Sequence, residues 1–189
     1  MITEKEISSI WGGLRVTPYE EKNIDPLVPL LQVEFSNWSL NKIQSYMNLV
    51  IGKTNDLSGV LVARNEASYN VGITIYTLQQ IGAQFLNLGE NESKDDKVYN
   101  ILVLENIIAS SPILEKAVFM ALVEGAIKVA EYFECDYLEL PSISTDKSFE
   151  FVKKKYAPYV EKADNFRTYI KTQNNVSKDK FNEEISLNS

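Results

Sequence analysis

A single carboxylate inside an apolar segment is the residue best suited to proton chemistry in this sequence. Glu105 lies in the run V-L-E-N-I, where the surrounding residues indicate a buried β-strand. Burial in apolar surroundings raises the pKa of a carboxyl group, and a general base that works near neutral pH requires such a shift. The alternative is a side chain at the rim of the strand that faces water.

Two residue types on which many enzymes depend are absent or rare. The sequence contains no histidine, and Cys135 is its single cysteine. Ser-His and Cys-His nucleophilic systems therefore lack their usual base, zinc sites lack their commonest ligands, and no intramolecular disulfide can form. Cys135 separates a long helical pattern from a strand, which favours a small buried side chain. No metal site is predicted.

Charge and hydropathy narrow the class of partner. The formal net charge of −7 argues against a nucleic-acid or anionic-membrane partner, because such partners are bound by a basic surface. No segment approaches the roughly 18 consecutive apolar residues of a membrane span, and the N-terminus M-I-T-E-K-E lacks a signal-peptide pattern. We therefore expect a cytoplasmic protein, and 189 residues suit one domain.

The elements that must position Glu105 form a strand-helix-strand unit. Val98–Ile108 is apolar at nearly every position, which predicts a strand covered on both faces. Ser111 and Pro112 are typical of a helix cap and first helical position, and an amphipathic pattern then continues to Phe133. Tyr137–Leu140 predicts a second strand. The unit therefore directs the N-terminus of a helix at the end of a strand.

The pattern of the N-terminal part predicts three helices, a first strand and an antiparallel hairpin. Residues 1–13 are interpreted as a short helix ended by Gly12-Gly13, and Asp25-Pro26 as the cap and first position of a later helix. The remaining predicted elements are a strand at Leu14–Thr17, a helix at Leu40–Ile51 and hairpin strands at Ser58–Arg64 and Val71–Leu78.

The C-terminal part adds a charge-rich loop, a helix and a strand. The predicted elements are a solvated loop within Gln79–Lys97, a helix at Asp146–Tyr156 and a strand at Phe166–Lys171. Residues 172–189 are too polar to bury and are predicted to be a tail on a single domain of residues 1–171.

The order β-α-α-β-β-β-α-β-α-β predicts an α/β (α+β) fold with a mixed, mostly antiparallel sheet and helices on both faces. This order resembles the GNAT (N-acetyltransferase) fold over roughly residues 14–171. L-R-V-T-P-Y-E-E-K-N-I-D-P-L is similar to the opening strand and helix of that family. G-V-L-V-A-R and V-G-I-T-I-Y-T-L are similar to its second and third strands, and Y-N-I-L-V-L-E-N-I-I-A is similar to its fourth.

The resemblance implies acetyl-CoA or another acyl-CoA, held where the fourth strand splays from the fifth. Pantetheine would pair with fourth-strand backbone, at Ile107 and Ala109. The pyrophosphate would meet a loop of type Q/R-x-x-G-x-G/A, which falls on residues 114–119 and implies contacts from Leu114, Lys116, Ala117 and Phe119.

That loop departs from the family pattern. Leucine replaces the basic or amide residue, and alanine and phenylalanine replace the glycines that let backbone approach phosphate. Glu115 adds a repulsive carboxylate, which Lys116 partly offsets. A shorter register would use the hydroxyls of Ser110 and Ser111 and the amides of residues 113 and 114.

The resemblance also implies catalytic roles. Glu105 corresponds to the base that takes a proton from the acceptor amine. Phe151 occupies the position of the family's tyrosine acid, so Tyr156, or Tyr159, would substitute; packing is the alternative for either. The two tryptophans and ten tyrosines, Tyr46 among them, suit either an acceptor pocket or the core.

Three functional hypotheses follow from this resemblance. The first is an acyl-CoA-dependent N-acyltransferase that acts by direct transfer to a small-molecule or peptide amine. The second is a non-catalytic binding or regulatory module that has lost the cofactor loop, and a weaker third is an enzyme that uses another acyl carrier. The oligomeric state is left open, a homodimer included.

Overall fold

An eight-stranded β-sheet forms the centre of the structure, a computed structural model that describes residues 9–51, 57–86, 97–141, 147–162 and 167–173. The strands are β1 Ser9–Trp11, β2 Leu14–Pro18, β3 Ser58–Arg64, β4 Asn70–Gly82, β5 Val98–Ala109, β6 Tyr137–Leu140, β7 Val160–Lys162 and β8 Thr168–Lys171. The helices are α1 Val28–Glu34, α2 Leu40–Ile51, α3 Ala83–Leu86, α4 Glu115–Tyr132 and α5 Lys147–Lys155, with 3₁₀ turns at Asp25–Leu27 and Ala157–Tyr159.

The strands lie in the order β1-β2-β3-β4-β5-β6-β8-β7. Neighbours from β1 to β5 are antiparallel, β5 and β6 are parallel, and β8 is antiparallel to both β6 and β7. The predicted mixed, mostly antiparallel sheet is therefore confirmed, as is the predicted parallel pairing of the strands on either side of α4. The short strands β1 and β7 and the four-residue helix α3 were not predicted.

Two hydrophobic clusters lie on opposite faces of the sheet. Helices α1 and α2 bury Leu31, Ile43 and Met47 against side chains of β3, β4 and β5 that include Ile73 and Ile108. Helix α4 covers the other face with a stripe of buried small and branched residues, among them Val118, Ala121, Leu122, Ala126 and Val129. Burial of each larger aliphatic side chain contributes about 1.5–3 kcal/mol. The sheet is thus covered by helices on both faces, as the sequence pattern predicts.

A glycine sets the close approach of α4 to the sheet. A Cβ atom at Gly72 of β4 would lie 2.2 Å from Val118 Cγ1 and 3.3 Å from the carbonyl oxygen of Ile108. Only a residue without a side chain fits between these atoms. Gly72 therefore fixes where the first turns of α4 lie relative to the end of β5.

The predicted N-terminal helix is wrong for the part of it that the structure describes. Ser9–Trp11 is a strand that pairs antiparallel with β2. Gly12 and Gly13 have φ values of 57° and 78°, which form the two-residue turn of a hairpin rather than a helix end. Residues 1–8 lie outside the described residues.

Two predicted helix starts are also corrected. Ile24, not Asp25, precedes the 3₁₀ turn, and α1 begins only at Val28. Pro29 has no amide hydrogen and cannot donate to the Asp25 carbonyl, as an α-helix that started at Asp25 would require. Helix α4 begins at Glu115. The Leu114 amide donates to the Ser111 carbonyl at 3.1 Å, which makes residues 111–114 a β-turn with proline at its second position.

Buried polar groups connect the start of the parallel pair to the end of β8. Asp136 accepts a hydrogen bond from the Asn100 amide at 2.9 Å and donates its own amide to the Asn100 carbonyl at 2.7 Å. Thr172, which is 2% exposed, donates its hydroxyl to the carbonyls of Cys135 and Asp136. The packed structure thus extends one residue past β8. The predicted domain and tail division stays a prediction, since residues 174–189 lie outside the described ranges.

Candidate active site

Strand β5 continues past the end of its pairing with β6, and we call the open edge of β5 beyond that point the gap. The parallel ladder joins Ile101 to Tyr137, Leu102 to Leu138 and Val103 to Glu139. Strand β5 continues to Ala109, and within the described residues no strand is hydrogen-bonded to that later part on its β6 side. An exposed strand edge can pair with an extended ligand through backbone hydrogen bonds. The gap is therefore a candidate ligand site.

A β-bulge in β5 places Glu105 at the start of this gap. Tyr76 of β4 pairs with Leu104, and its neighbour Ile75 pairs with Asn106, so Glu105 is the extra residue. Leu104 packs in the α4 cluster, and after the bulge Ile107 packs there as well. The bulge therefore changes the alternation of β5. Bulges often lie next to active sites, where they redirect a side chain.

Glu105 faces helix α2 and is exposed to solvent. Its carboxylate accepts a hydrogen bond at 2.8 Å from the hydroxyl of Tyr46. The expected burial of Glu105 in an apolar strand is therefore wrong, because the side chain lies on the sheet face opposite α4, where it meets the Tyr46 hydroxyl and solvent. The structure supports the rim position that the sequence left as the alternative.

Tyr46 is the residue of this site to which the sequence assigned no specific role. Burial first, and then the hydrogen bond and negative charge of Glu105, raise the pKa of Tyr46 well above its ordinary value of 10.0. The phenol therefore stays protonated at neutral pH and serves as a hydrogen-bond donor. Its spacing with Ile43 and Met47 indicates only a helix face, and no sequence signal links it to a residue 59 positions away.

Tyr46 belongs to an aromatic trio that we define as Phe35, Trp38 and Tyr46. The Phe35 and Trp38 rings stack with centroids 4.6 Å apart, and Tyr46 meets them edge-on at 5.8 and 5.7 Å. All three residues are half-buried. The trio lies between the end of α1 and the middle of α2. Phe35 and Trp38 therefore hold in place the Tyr46 ring, whose hydroxyl donates to Glu105.

The structure does not bring Tyr156 into contact with Glu105. Tyr156 follows α5 and packs against the cluster on the α4 face of the sheet. Its nearest charged neighbour is Lys155, whose Nζ lies 5.2 Å from the Tyr156 ring centroid and 2.6 Å from Glu124 Oε2 on α4. Burial raises the pKa of Tyr156, and the positive charge of Lys155 opposes this shift. Its role as an acid stays a prediction.

The two predicted pantetheine contacts lie on the unpaired part of β5. Ile107 pairs with Thr74 of β4 and is 6% exposed, while Ala109 pairs with Gly72 and is half-buried. Their side chains therefore point out of the plane of the sheet. What the two residues can offer a ligand is their backbone hydrogen-bonding groups on the side of β5 where β6 pairs earlier in the strand. The Ser110 amide donates to the Val71 carbonyl and is already used.

The residues predicted for the phosphate loop lie in a turn and a helix. Leu114 precedes α4, Lys116 and Ala117 are in its first turn, and Phe119 is a core residue only 2% exposed. Lys116 is exposed, and its Nζ lies 3.4 Å from the centroid of the Phe151 ring. The amides of Lys116 and Ala117 have no acceptor within the helix, so they and the Lys116 side chain can meet an anion. Phe119 contributes packing.

Comparison with solved structures gives the fold a name. An aminoglycoside antibiotic 6'-N-acetyltransferase from Acinetobacter baumannii is 14% identical, with a TM-score of 0.53 over 76% of this chain and 88% of that chain. An acetyltransferase of Trypanosoma brucei is 16% identical, with a TM-score of 0.52 over 75% and 90%. The chain has the GNAT fold. The predicted resemblance in fold is therefore confirmed.

A third similar structure, described as a histone acetyltransferase and related acetyltransferase from Corynebacterium glutamicum, is 14% identical, with a TM-score of 0.50 over 83% of this chain and 95% of that chain. No family model matches the sequence, and no curated protein is significantly similar to it. At these identities the likeness shows the GNAT fold and does not assign an activity.

The described ranges contain neither a membrane-spanning helix nor a metal-binding cluster. None of the helices there has the length and apolar composition that crossing a membrane requires. In the same part of the chain, no group of three or more histidine, cysteine, aspartate or glutamate residues is arranged to hold a metal ion.

Proposed function

We propose that the protein is an acyl-CoA-dependent N-acyltransferase that transfers the acyl group directly from the thioester to an amine. The observation that carries this proposal is that β5 continues past Val103 without β6 as a partner, with Glu105 at a bulge where this unpaired edge begins. The GNAT fold supports the same conclusion. The acceptor is a small-molecule or peptide amine.

The gap and the start of α4 differ in how well they suit acyl-CoA. The backbone edge of β5 near Ile107 and Ala109 suits an extended pantetheine arm, because it offers unpaired strand hydrogen-bonding groups. The start of α4 offers the amides of Lys116 and Ala117 and the Lys116 side chain. It contains no glycine, and Glu115 occupies its first helical position. We therefore expect weak binding of the pyrophosphate.

In the proposed reaction, the acceptor arrives on the α2 side of the sheet as an ammonium. Glu105 takes a proton from it, directly or through a water molecule, and the neutral nitrogen then attacks the thioester carbonyl. A carbon–nitrogen bond forms, the carbon–sulfur bond breaks, and the thiolate receives a proton. Tyr46 holds one oxygen of Glu105, which orients the carboxylate. Tyr156 stays the candidate for the final proton donor.

Calorimetric titration with acetyl-CoA and with CoA tests the first step. We expect weak binding in the parent and binding that is several-fold tighter in Glu115→Gln, because the substitution removes a negative charge near the phosphates. Glu66→Gln, in the exposed loop between β3 and β4, is the matched charge control and should leave the affinity unchanged. If Glu115→Gln binds no better than the parent, the pyrophosphate is not at the start of α4.

Acyl transfer is then measured as CoA thiol release with a panel of primary amines. Amine-dependent release supports the enzyme. A second candidate function, the non-catalytic binding or regulatory module, is favoured by the complete absence of glycine between Ser110 and Phe119. Release that no amine increases, at an acetyl-CoA concentration that saturates the protein, would favour that module.

A further inference from the structure

The carboxylate of Glu105 has no positive partner in the described part of the chain. Its one hydrogen bond there comes from the neutral hydroxyl of Tyr46 to Oε2. The ion pairs formed by the described lysines and arginines involve other carboxylates, such as Glu124 and Glu161. An exposed carboxylate that is oriented by a donor and not neutralised by a cation can bind a cationic ligand.

A positive charge already lies on the aromatic trio next to this carboxylate. The Nζ atom of Lys42 is 3.9 Å from the centroid of the Trp38 ring. Lys42 and Tyr46 are one helical turn apart on α2, yet Lys42 forms no ion pair with Glu105. The exposed Lys42 side chain thus marks the Trp38 ring as a surface that attracts an ammonium group.

We propose that the trio and Glu105 form an acceptor subsite for a primary ammonium on an aromatic or apolar carbon skeleton, with no carboxylate next to the amine. The inference rests on the proposed function and names its substrate class. Glu105 supplies the counter-charge, and the half-buried rings supply an apolar surface that the skeleton reaches when the flexible Lys42 side chain moves aside. A carboxylate beside the amine would face Glu105 and be repelled.

Three ligands of nearly the same shape test this subsite in the absence of acyl-CoA. They are 2-phenylethylamine, phenylalanine, which adds a carboxylate, and 2-phenylethanol, which replaces the amine by a hydroxyl. Calorimetric or NMR titration should show 2-phenylethylamine binding about tenfold or more tightly than either of the others, which corresponds to about 1.4 kcal/mol. Equal affinity for all three would overturn the proposal.

Substitutions test whether 2-phenylethylamine binds at this subsite. Glu105→Gln should remove most of the preference for the ammonium, and Tyr46→Phe should weaken it several-fold while keeping the ring. Lys42→Ala should tighten 2-phenylethylamine binding, because the Trp38 face becomes open. Glu66→Gln is the control and should change nothing. A preference that survives Glu105→Gln, or a Lys42→Ala variant that binds no more tightly than the parent, would contradict the proposal.

The outcome is separable from that of the proposed function. If 2-phenylethylamine binds as expected but no acyl transfer occurs, the subsite stands as an amine-binding site and the enzyme proposal fails. If transfer occurs and phenylalanine is acylated as efficiently as 2-phenylethylamine, the enzyme stands and the subsite proposal fails.

Discussion

The contact between Tyr46 and Glu105 shows how a residue acquires chemistry from its partner. The glutamate is exposed, so burial does not prepare it for base chemistry. Its orientation comes instead from a phenol that the surrounding aromatic trio holds in place. Because the pKa of Tyr46 is raised, the donor is present at every pH at which an acyltransferase would normally be studied.

Substitution of Glu105 tests the base directly. Glu105→Gln should lower the maximal rate of transfer by about 10²-fold or more, because the amide cannot accept the ammonium proton, while the affinity for acetyl-CoA changes little. Steady-state kinetics over a range of pH, together with calorimetry, measure both quantities. An inflection in the pH–rate profile that persists unchanged in Glu105→Gln would move the base to another group.

Tyr156 offers a contrasting test on the other face of the sheet. Its nearest charged neighbour is Lys155, and its ring packs against the α4 cluster. If the Tyr156 hydroxyl serves only in packing, Tyr156→Phe should reduce the transfer rate only slightly, within about threefold, because the ring and its packing are kept. The rate is compared with that of Tyr46→Phe measured in parallel. A loss as large as that of Glu105→Gln would instead support the predicted role of Tyr156 as the acid.

At the scale of elements, the two halves of β5 differ in the strands with which they pair. Its first half completes the sheet by pairing with both β4 and β6, whereas its second half pairs only with β4 among the described strands. Helix α4 starts just beyond the end of that second half and packs on β4. The gap thus lies along the part of β5 that has β4 as a partner strand and lacks β6.

The packing of α4 on Gly72 is open to a double-mutant test. Gly72→Ala should lower the free energy of unfolding by about 1–3 kcal/mol, because the added methyl group overlaps the Val118 side chain. Urea unfolding measures this change. Val118→Ala in the same chain removes the overlapping methyl groups, so the two losses should be less than additive. Strict additivity would show that α4 does not press on Gly72.

At the scale of the whole molecule, several weak acids are buried in their neutral forms. Burial raises the pKa of Cys135 from 9.0 to about 12 and that of Tyr169 from 10.0 to about 12. In the unfolded chain these groups would lose their protons near their ordinary values, while the folded protein still holds them. Deprotonation then stabilises the unfolded state alone, so folding stability falls as pH rises.

Alkaline unfolding tests this coupling. The free energy of unfolding should fall between pH 9 and pH 10.5, with each such group contributing at most about 1.4 kcal/mol per pH unit above its ordinary pKa. Cys135 titrates first in the unfolded chain, so Cys135→Ala should make the decline between pH 9 and pH 10 less steep. Urea unfolding at pH 8, 9 and 10 measures the slopes. Equal slopes in parent and variant would show that Cys135 is not buried in its neutral form.

The sequence by itself determined the elements whose pattern is strong and local. The spacing of apolar residues specified a helix at Leu40–Ile51 and strands at Ser58–Arg64 and from Val98. Alternation and helical spacing depend only on neighbours in the chain. The order of these elements then specified the sheet. The predicted GNAT fold is confirmed for that reason.

The tertiary structure decided what depends on partners distant in sequence. The hairpin at Gly12-Gly13 formed because β1 had β2 to pair with, which a helix pattern in Ile7, Ile10 and Trp11 could not reveal. The bulge at Glu105 depends on the register of β5 against β4, and the contact of Glu105 with Tyr46 joins residues 59 positions apart. Such contacts are set by the packing of helices on the sheet, and no local spacing encodes them.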